Sequence, residues 1–264
     1  MRNKGKGKIV LATLFLLVCL WISRNNFVKM TNAEHTHKDW ITVYLAGDST
    51  VSNYTSKAAP RAGWGQVFPM FFDDKIVVKN EASSGRSSKS FIDEGRLKSI
   101  LKQIEKGDYL FIQFGHNDKI KDSRRYTEPY STYKSYLKQY IDGARAKQAI
   151  PVLVTPVERR HFTAGGLELD SHGAYPTAMK ELGLEEHVPV IDLTAKSKVL
   201  FQKLGPERTK DIFLWLETGT NKNYPKGIQD NTHFQENGAK EIARLVLDGI
   251  KELKLTPLQN HILK

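Results

Sequence analysis

Five times along this chain a short apolar run gives way to a stretch with helical spacing. That alternation restricts the fold more than any other feature. The runs cover residues 41–46, 76–78, 109–114, 151–155 and 188–193. They are rich in β-branched and aromatic residues and short enough to read as buried strands. Between and after them, helices are predicted over 63–72, 96–106, 131–149, the stretch ending near 186, the stretch ending near 204, and 237–253. The spacing of Leu97, Ile100, Leu101 and Ile104 puts four apolar side chains on one helical face, as does that of Ile242, Leu245, Val246 and Ile250. Strand–helix alternation without a break in composition predicts one α/β domain, its parallel sheet covered on both faces. Right-handed crossovers would bring all five strand C-termini to one edge, where ligands bind in open α/β sheets. Residues 50–62, 80–88, 156–173 and 205–230 read as connections, and long connections in compact domains are usually functional.

Length and charge sharpen this picture. The 264 residues carry a formal charge of +11. Six of those charges, Arg2, Lys4, Lys6, Lys8, Arg24 and Lys29, fall in residues 1–33, which contain no acid. The rest of the chain is only modestly basic and holds no block of like charges, so no nucleic-acid partner is expected. A basic start, an uncharged apolar run over 9–22 and the small residues Thr31-Asn32-Ala33 predict a signal peptide over 1–33, or an uncleaved N-terminal anchor. Residues 34–264 are then the single domain, secreted or tethered to a membrane by that segment alone. Cys19 is the sole cysteine. It would be lost with the signal, and stability would rest on the core rather than on disulfides.

The first strand ends in Gly47-Asp48-Ser49-Thr50. Ser49 at the sheet edge is either a helix cap or a nucleophile that needs a base. Asp230-Asn231-Thr232-His233 supplies a candidate acid–base pair, because residues i and i+3 in a tight turn share a side. The same four residues also fit a turn cap beside an exposed histidine. Gly85 allows close backbone approach, and the Asn117 amide can donate a hydrogen bond; both also fit ordinary loop positions. His116 and Asp118 stand two apart on a strand end, and with Asp230 and His233 they make a metal site conceivable. No G-x-S-x-G elbow, H-E-x-x-H or G-x-x-x-x-G-K-[ST] occurs.

Four blocks in order resemble the SGNH (GDSL-like) hydrolases: Gly47-Asp48-Ser49, Gly85, Gly115-His116-Asn117-Asp118 and Asp230-x-x-His233. Within that superfamily the longer matches are Ala46 to Thr50, Asn80 to Ser87, Gln113 to Asp118 and Asp230 to Phe234. These are similar to the rhamnogalacturonan acetylesterases, over residues 41 to about 254. The resemblance implies a three-layer α/β/α, flavodoxin-like fold. It implies Ser49 as nucleophile, His233 as base and Asp230 as its orienter. It also implies an oxyanion hole from the Ser49 and Gly85 N–H groups and the Asn117 side chain, with no metal and no cofactor.

The expected activity is removal of acetyl groups from a plant cell-wall polysaccharide, most simply rhamnogalacturonan. Every second sugar of that polymer carries a carboxylate, so Arg86 is a candidate substrate-binding residue, with Arg159 and Arg160 able to reach the same edge. Other acetylated glycans such as xylan, a lysophospholipase or thioesterase activity, and a non-catalytic glycan-binding module are the alternatives. The sequence does not fix the oligomeric state.

Overall fold

The computed structural model describes residues 39–168 and 170–263; the predicted signal or anchor segment and Cys19 lie outside them. In chain order the strands are β1 (Ile41–Gly47), β2 (Arg61–Ala62), β3 (Ile76–Asn80), β4 (Tyr109–Gln113), β5 (Ile150–Val154), β6 (Phe162–Thr163), β7 (Gly166–Leu167), β8 (Val190–Ile191), β9 (Phe213–Leu216) and β10 (Ile228–Gln235). The α-helices are α1 (Trp64–Val67), α2 (Ser88–Asp93), α3 (Arg96–Leu101), α4 (Lys134–Ala146), α5 (Tyr175–Glu185), α6 (Leu193–Arg208) and α7 (Glu236–Glu252).

The central sheet has five parallel strands in the order β3-β1-β4-β5-β8. Counted among themselves these strands run 2-1-3-4-5, the flavodoxin-like arrangement. Both faces of the sheet are covered. Val43 and Leu45 of β1 join one cluster with Trp64 of α1, Phe201 of α6 and Ile242, Val246 and Ile250 of α7. Tyr44 and Ala46 join the other, with Phe91 of α2, Ile100 of α3, Tyr140 of α4 and Met179 of α5. The alternation along β1 is the period-two pattern of a strand, apolar on both sides because both sides are buried. The three inward isoleucine and valine side chains of α7 are fully buried. Truncating Ile242 or Ile250 to alanine would cost about 2–5 kcal/mol each.

Two regions depart from the expected plan. Residues 205–230 are not one loop: α6 runs on to Arg208 across a break at Gly205, and β9 follows at Phe213. The strands β2, β10 and β9 form a second, antiparallel sheet. The predicted helix over 96–106 is shorter, ending at Leu101, and α2 precedes it. Ser87 starts α2 by accepting a hydrogen bond from the Ser90 backbone, while the Ser90 hydroxyl returns one from the Ser87 backbone. Among the described residues no helix is long and apolar enough to cross a membrane.

Candidate active site

The turn after β1 is fixed from several sides. The Asp48 carbonyl accepts from Val51 N, Ser52 N and the Ser52 hydroxyl. Gly47 is required by crowding, since a Cβ there would lie 2.7 Å from Val51 Cγ2. Tyr54 donates its phenol to the Ser49 carbonyl at 2.7 Å. Ser49 therefore stands on a pinned backbone, 7% exposed, and no helix begins there for it to cap. Behind it, Trp64 Nε1 donates to Gln113, Gln113 donates to the Thr50 hydroxyl, and that hydroxyl donates to Asp48 Oδ1.

Asp230 and His233 reach Ser49 from the second sheet. β10 pairs with β9 at Gln229–Trp215 and again at Phe234–Phe213. Between those pairs β10 carries residues 230–233 and β9 carries only Leu214. The extra residues bulge out of the ladder, as inserted strand residues do. Asp230 Oδ1 closes the bulge by accepting from Thr232 N at 2.8 Å and His233 N at 3.0 Å. Its other oxygen lies 2.6 Å from His233 Nδ1, and His233 Nε2 lies 2.9 Å from Ser49 Oγ. Burial alone would raise the Asp230 carboxyl. The bond and charge of His233, with the two backbone donors, outweigh it and lower Asp230 to about 2. An ionised Asp230 can only accept, so Nδ1 carries the proton and Nε2 is left to accept from the serine.

The donors expected for an oxyanion stand on two neighbouring loops. Gly85 has φ +80°, a conformation that favours glycine, in the turn closed by Arg86 N to Ser83 O. The Ser83 N–H donates to the Gly47 carbonyl and fastens this loop to the serine turn. Asn117 gives one amide hydrogen to the Arg86 carbonyl at 3.0 Å and keeps the other. Among the described residues the Ser49 and Gly85 N–H groups have no acceptor. Asp118, fully buried, ties the loops together: it accepts from Ser88 N, Ser88 Oγ, Thr127 Oγ1 and Gly115 N. Burial pushes its carboxyl up to about 7.

His116 does not meet Asp118. Its Nδ1 lies 3.2 Å from Asp48 Oδ2, and its ring stands edge to face on His172 at 4.3 Å. His172 donates Nε2–H to the Val157 carbonyl. Burial lowers both imidazoles toward the neutral form. Burial pushes Asp48 up, but the charge of the nearby His116 and the Thr50 N–H and hydroxyl donors outweigh it and hold the carboxyl below its usual range. Of the four, only Asp230 and His233 meet; His116 lies beside Asp48, and Asp118 accepts from Ser88, Thr127 and Gly115. No metal-binding cluster of three or more histidine, cysteine or acidic side chains forms among the described residues.

The three candidate arginines differ in their surroundings. Arg86 is forked onto Glu94 at 3.0 Å to each oxygen and donates to the Ser84 carbonyl. Arg160 donates to Thr209, Asn231 and the Pro206 carbonyl and stacks 4.2 Å over Trp215. Arg159 donates Nη1 to the Thr232 hydroxyl, between Asp230 and His233 in the chain. Tyr54 and Thr232 gave no signal as site residues in the sequence, because each acts through one tertiary hydrogen bond.

A family model described as GDSL-like lipase/acylhydrolase matches residues 43–246. The chain belongs to that family. It is therefore a carboxylic ester hydrolase by family. It is similar to rhamnogalacturonan acetylesterase RhgT of Bacillus subtilis, at 52% identity over 222 residues, covering 84% of this chain and 94% of the relative. The crystal structure of YxiM from Bacillus subtilis superposes with a TM-score of 0.71 at 32% identity, covering 82% of this chain. The matched part is 58% of the YxiM chain.

Proposed function

We propose that this GDSL-family hydrolase removes O-acetyl groups from rhamnogalacturonan through an acyl-enzyme on Ser49. The observation that carries the mechanism is the hydrogen-bonded line Asp230–His233–Ser49, with 2.6 Å and 2.9 Å links. His233 Nε2 takes the Ser49 proton as Oγ attacks the acetyl carbonyl carbon. Negative charge moves to the carbonyl oxygen, toward the Ser49 N–H, the Gly85 N–H and the uncommitted Asn117 hydrogen. His233, now cationic beside ionised Asp230, returns its proton to the departing sugar oxygen. Water then adds to the acetyl group with His233 as base, and acetate leaves. Fixed donors aimed at developing charge supply most of the gain in such a site.

The choice of acetate and of pectin is supported by the similarity to RhgT over nearly all of its length. Export fits this reading, since the polymer lies outside the cell, and the basic start and apolar run over 9–22 support it. The test is acetate release from acetylated rhamnogalacturonan and from acetylated xylan. The pectin polymer should be cleaved with the higher kcat/KM. Mass spectrometry of enzyme quenched during turnover should find one acetyl group on the peptide containing Ser49. Equal rates on both polymers would remove the pectin assignment. Steady turnover with no acetylated Ser49 under trapping conditions would remove the acyl-enzyme.

A further inference from the structure

Of the three candidate arginines, two are engaged by other groups. Arg86 is ion-paired with Glu94, which it shares with Arg96, and Arg160 spends its three guanidinium nitrogens on protein acceptors. Arg159 is different. Among the described residues its side chain has one hydrogen-bond partner, the Thr232 hydroxyl, and no carboxylate pairs with it. Its Nε is buried without an acceptor. A half-buried guanidinium is costly without a partner, because desolvation is not repaid. That cost already lowers the Arg159 guanidinium, against the opposing pull of Asp48, Asp230 and Glu158.

A second cation stands next to it. Lys119 follows the Asn117-Asp118 pair and donates Nζ to the Ser171 carbonyl, while the Arg159 N–H donates to the Ser171 hydroxyl; Arg159 repels the Lys119 charge and Glu158 attracts it. Two mutually repelling cations at the mouth of a hydrolase site are stabilised by a shared anion. The Thr232 anchor leaves Nε and Nη2 of Arg159 uncommitted. Guanidinium donors of this kind can match two carboxylate oxygens.

We propose that Arg159, with Lys119 outside it, forms an anion subsite beside Ser49 that takes the carboxylate of a uronic-acid unit of the acetylated polymer. The subsite rests on the polysaccharide reading above and names what within the polymer is recognised. It makes Arg159 the specificity residue and Arg86 and Arg160 loop braces. Anchoring by Thr232 holds the fork in place before substrate arrives, which reduces the ordering cost of binding.

The experiment compares wild type with Arg159→Gln and Arg159→Lys on acetylated rhamnogalacturonan and on 4-nitrophenyl acetate, which has no carboxylate. In Arg159→Gln the ratio of kcat/KM on the polymer to that on the aryl ester should fall on the order of 10- to 100-fold, mainly through KM. Arg159→Lys should recover part of the ratio, keeping charge without the fork. Added salt should raise the polymer KM of wild type and leave that of Arg159→Gln nearly flat. Loss on both substrates in equal proportion would overturn the proposal, making Arg159 a brace for the Thr232 bulge. An unchanged ratio would also overturn it.

Free galacturonate separates this proposal from the pectin assignment. It should inhibit aryl-acetate hydrolysis competitively in wild type, and tenfold more weakly in Arg159→Gln. Should wild type release no acetate from the polymer, the proposed substrate fails, while this inhibition still decides the subsite. Sodium acetate is the last arm: inhibition by acetate equal to that by galacturonate, lost in the same variant, would mean a product site and overturn the subsite proposed here.

Discussion

Two aspartate–histidine pairs flank Ser49, and they are built for opposite ends. Asp230 and His233 sit on a strand bulge, half-buried, and the free imidazole nitrogen faces a hydroxyl. Asp48 and His116 are sealed, at 0% and 3% exposure, and the far side of that ring meets another imidazole. In both pairs a carboxylate oxygen lies near Nδ1, hydrogen-bonded at 2.6 Å in the outer pair and at 3.2 Å without hydrogen-bond geometry in the inner one. The difference is what the second nitrogen can reach and whether solvent and substrate can follow. An aspartate beside a histidine is therefore not by itself a proton relay. The outer pair can move a proton. The inner pair holds a charge fixed under the serine turn, with Thr50 and its donors locked around it.

The sharpest way to break the comparison is to remove the outer relay. Ser49→Ala should lower kcat on the order of 10⁴-fold or more, and His233→Ala nearly as much, because the two act as a unit. The check is steady-state acetate release at matched protein stability. Retention of a tenth of the activity in His233→Ala would shift attention to His116 and undo the distinction drawn above.

Next in size is the effect at the donors proposed for the oxyanion, which belong to neither pair. Asn117→Ala should lower kcat by roughly 10²–10³ and change KM little, since its donor acts on charge that develops in the transition state. The lost Arg86 contact adds some loosening of the Gly85 loop. A raised KM with unchanged kcat would make Asn117 a ground-state binding residue.

Much of this was legible in the sequence, and what was not has a physical reason. The central strands were legible because their apolar runs are local signals; β1, β4 and β5 are buried on both faces. β9 was not, although Phe213-Leu214-Trp215-Leu216 is an apolar run, because it is short and stands among the Gly, Pro and Asn residues of a long connection. β10 in turn hides its pattern, because the bulge at 230–233 breaks the alternation of a strand. Ser49, Asp230 and His233 were legible as candidates from their order along the chain. The bulge that lets residues three apart share Ser49 was not. His116 and Asp118 look like partners in the sequence, yet they diverge, His116 to Asp48 and Asp118 to Ser88 and Gly115. Arg159 and Arg160 are neighbours that only tertiary contacts tell apart.

Acid titration sharpens the comparison from the stability side. Asp230 is lowered from 3.8 to about 2 by His233 and two backbone N–H groups, against burial. A depressed carboxyl contributes stability that is complete above its unfolded value and is lost as pH falls through the folded one. The contribution is about 2 kcal/mol, lost between roughly pH 4 and pH 2. Denaturant unfolding of wild type and Asp230→Asn should therefore differ most near pH 5 and converge near pH 1.5. A gap that stays constant over that range would show that Asp230 is not held by these donors.

The smallest expected effect is at the inner pair. His116→Phe keeps an aromatic edge toward His172 in a somewhat larger ring, and removes the imidazole nitrogen that lies 3.2 Å from Asp48 Oδ2. Asp48 Oδ1 keeps the Thr50 N–H and hydroxyl, so the carboxylate is only partly stripped of donors. Losing this polar neighbour of a buried carboxylate costs about 1–3 kcal/mol, and the added apolar burial returns part of it. The net loss should be about 1 kcal/mol, a fall in Tm of roughly 2–4 °C for a domain of this size. kcat should drop only a few-fold, through a looser serine turn, with the shape of the pH–rate profile unchanged. A fall in kcat of a hundredfold at normal Tm, or a displaced pH profile, would mean that the inner pair takes part in proton movement. The two aspartate–histidine pairs would then be one extended relay through the serine turn rather than a working pair and a brace.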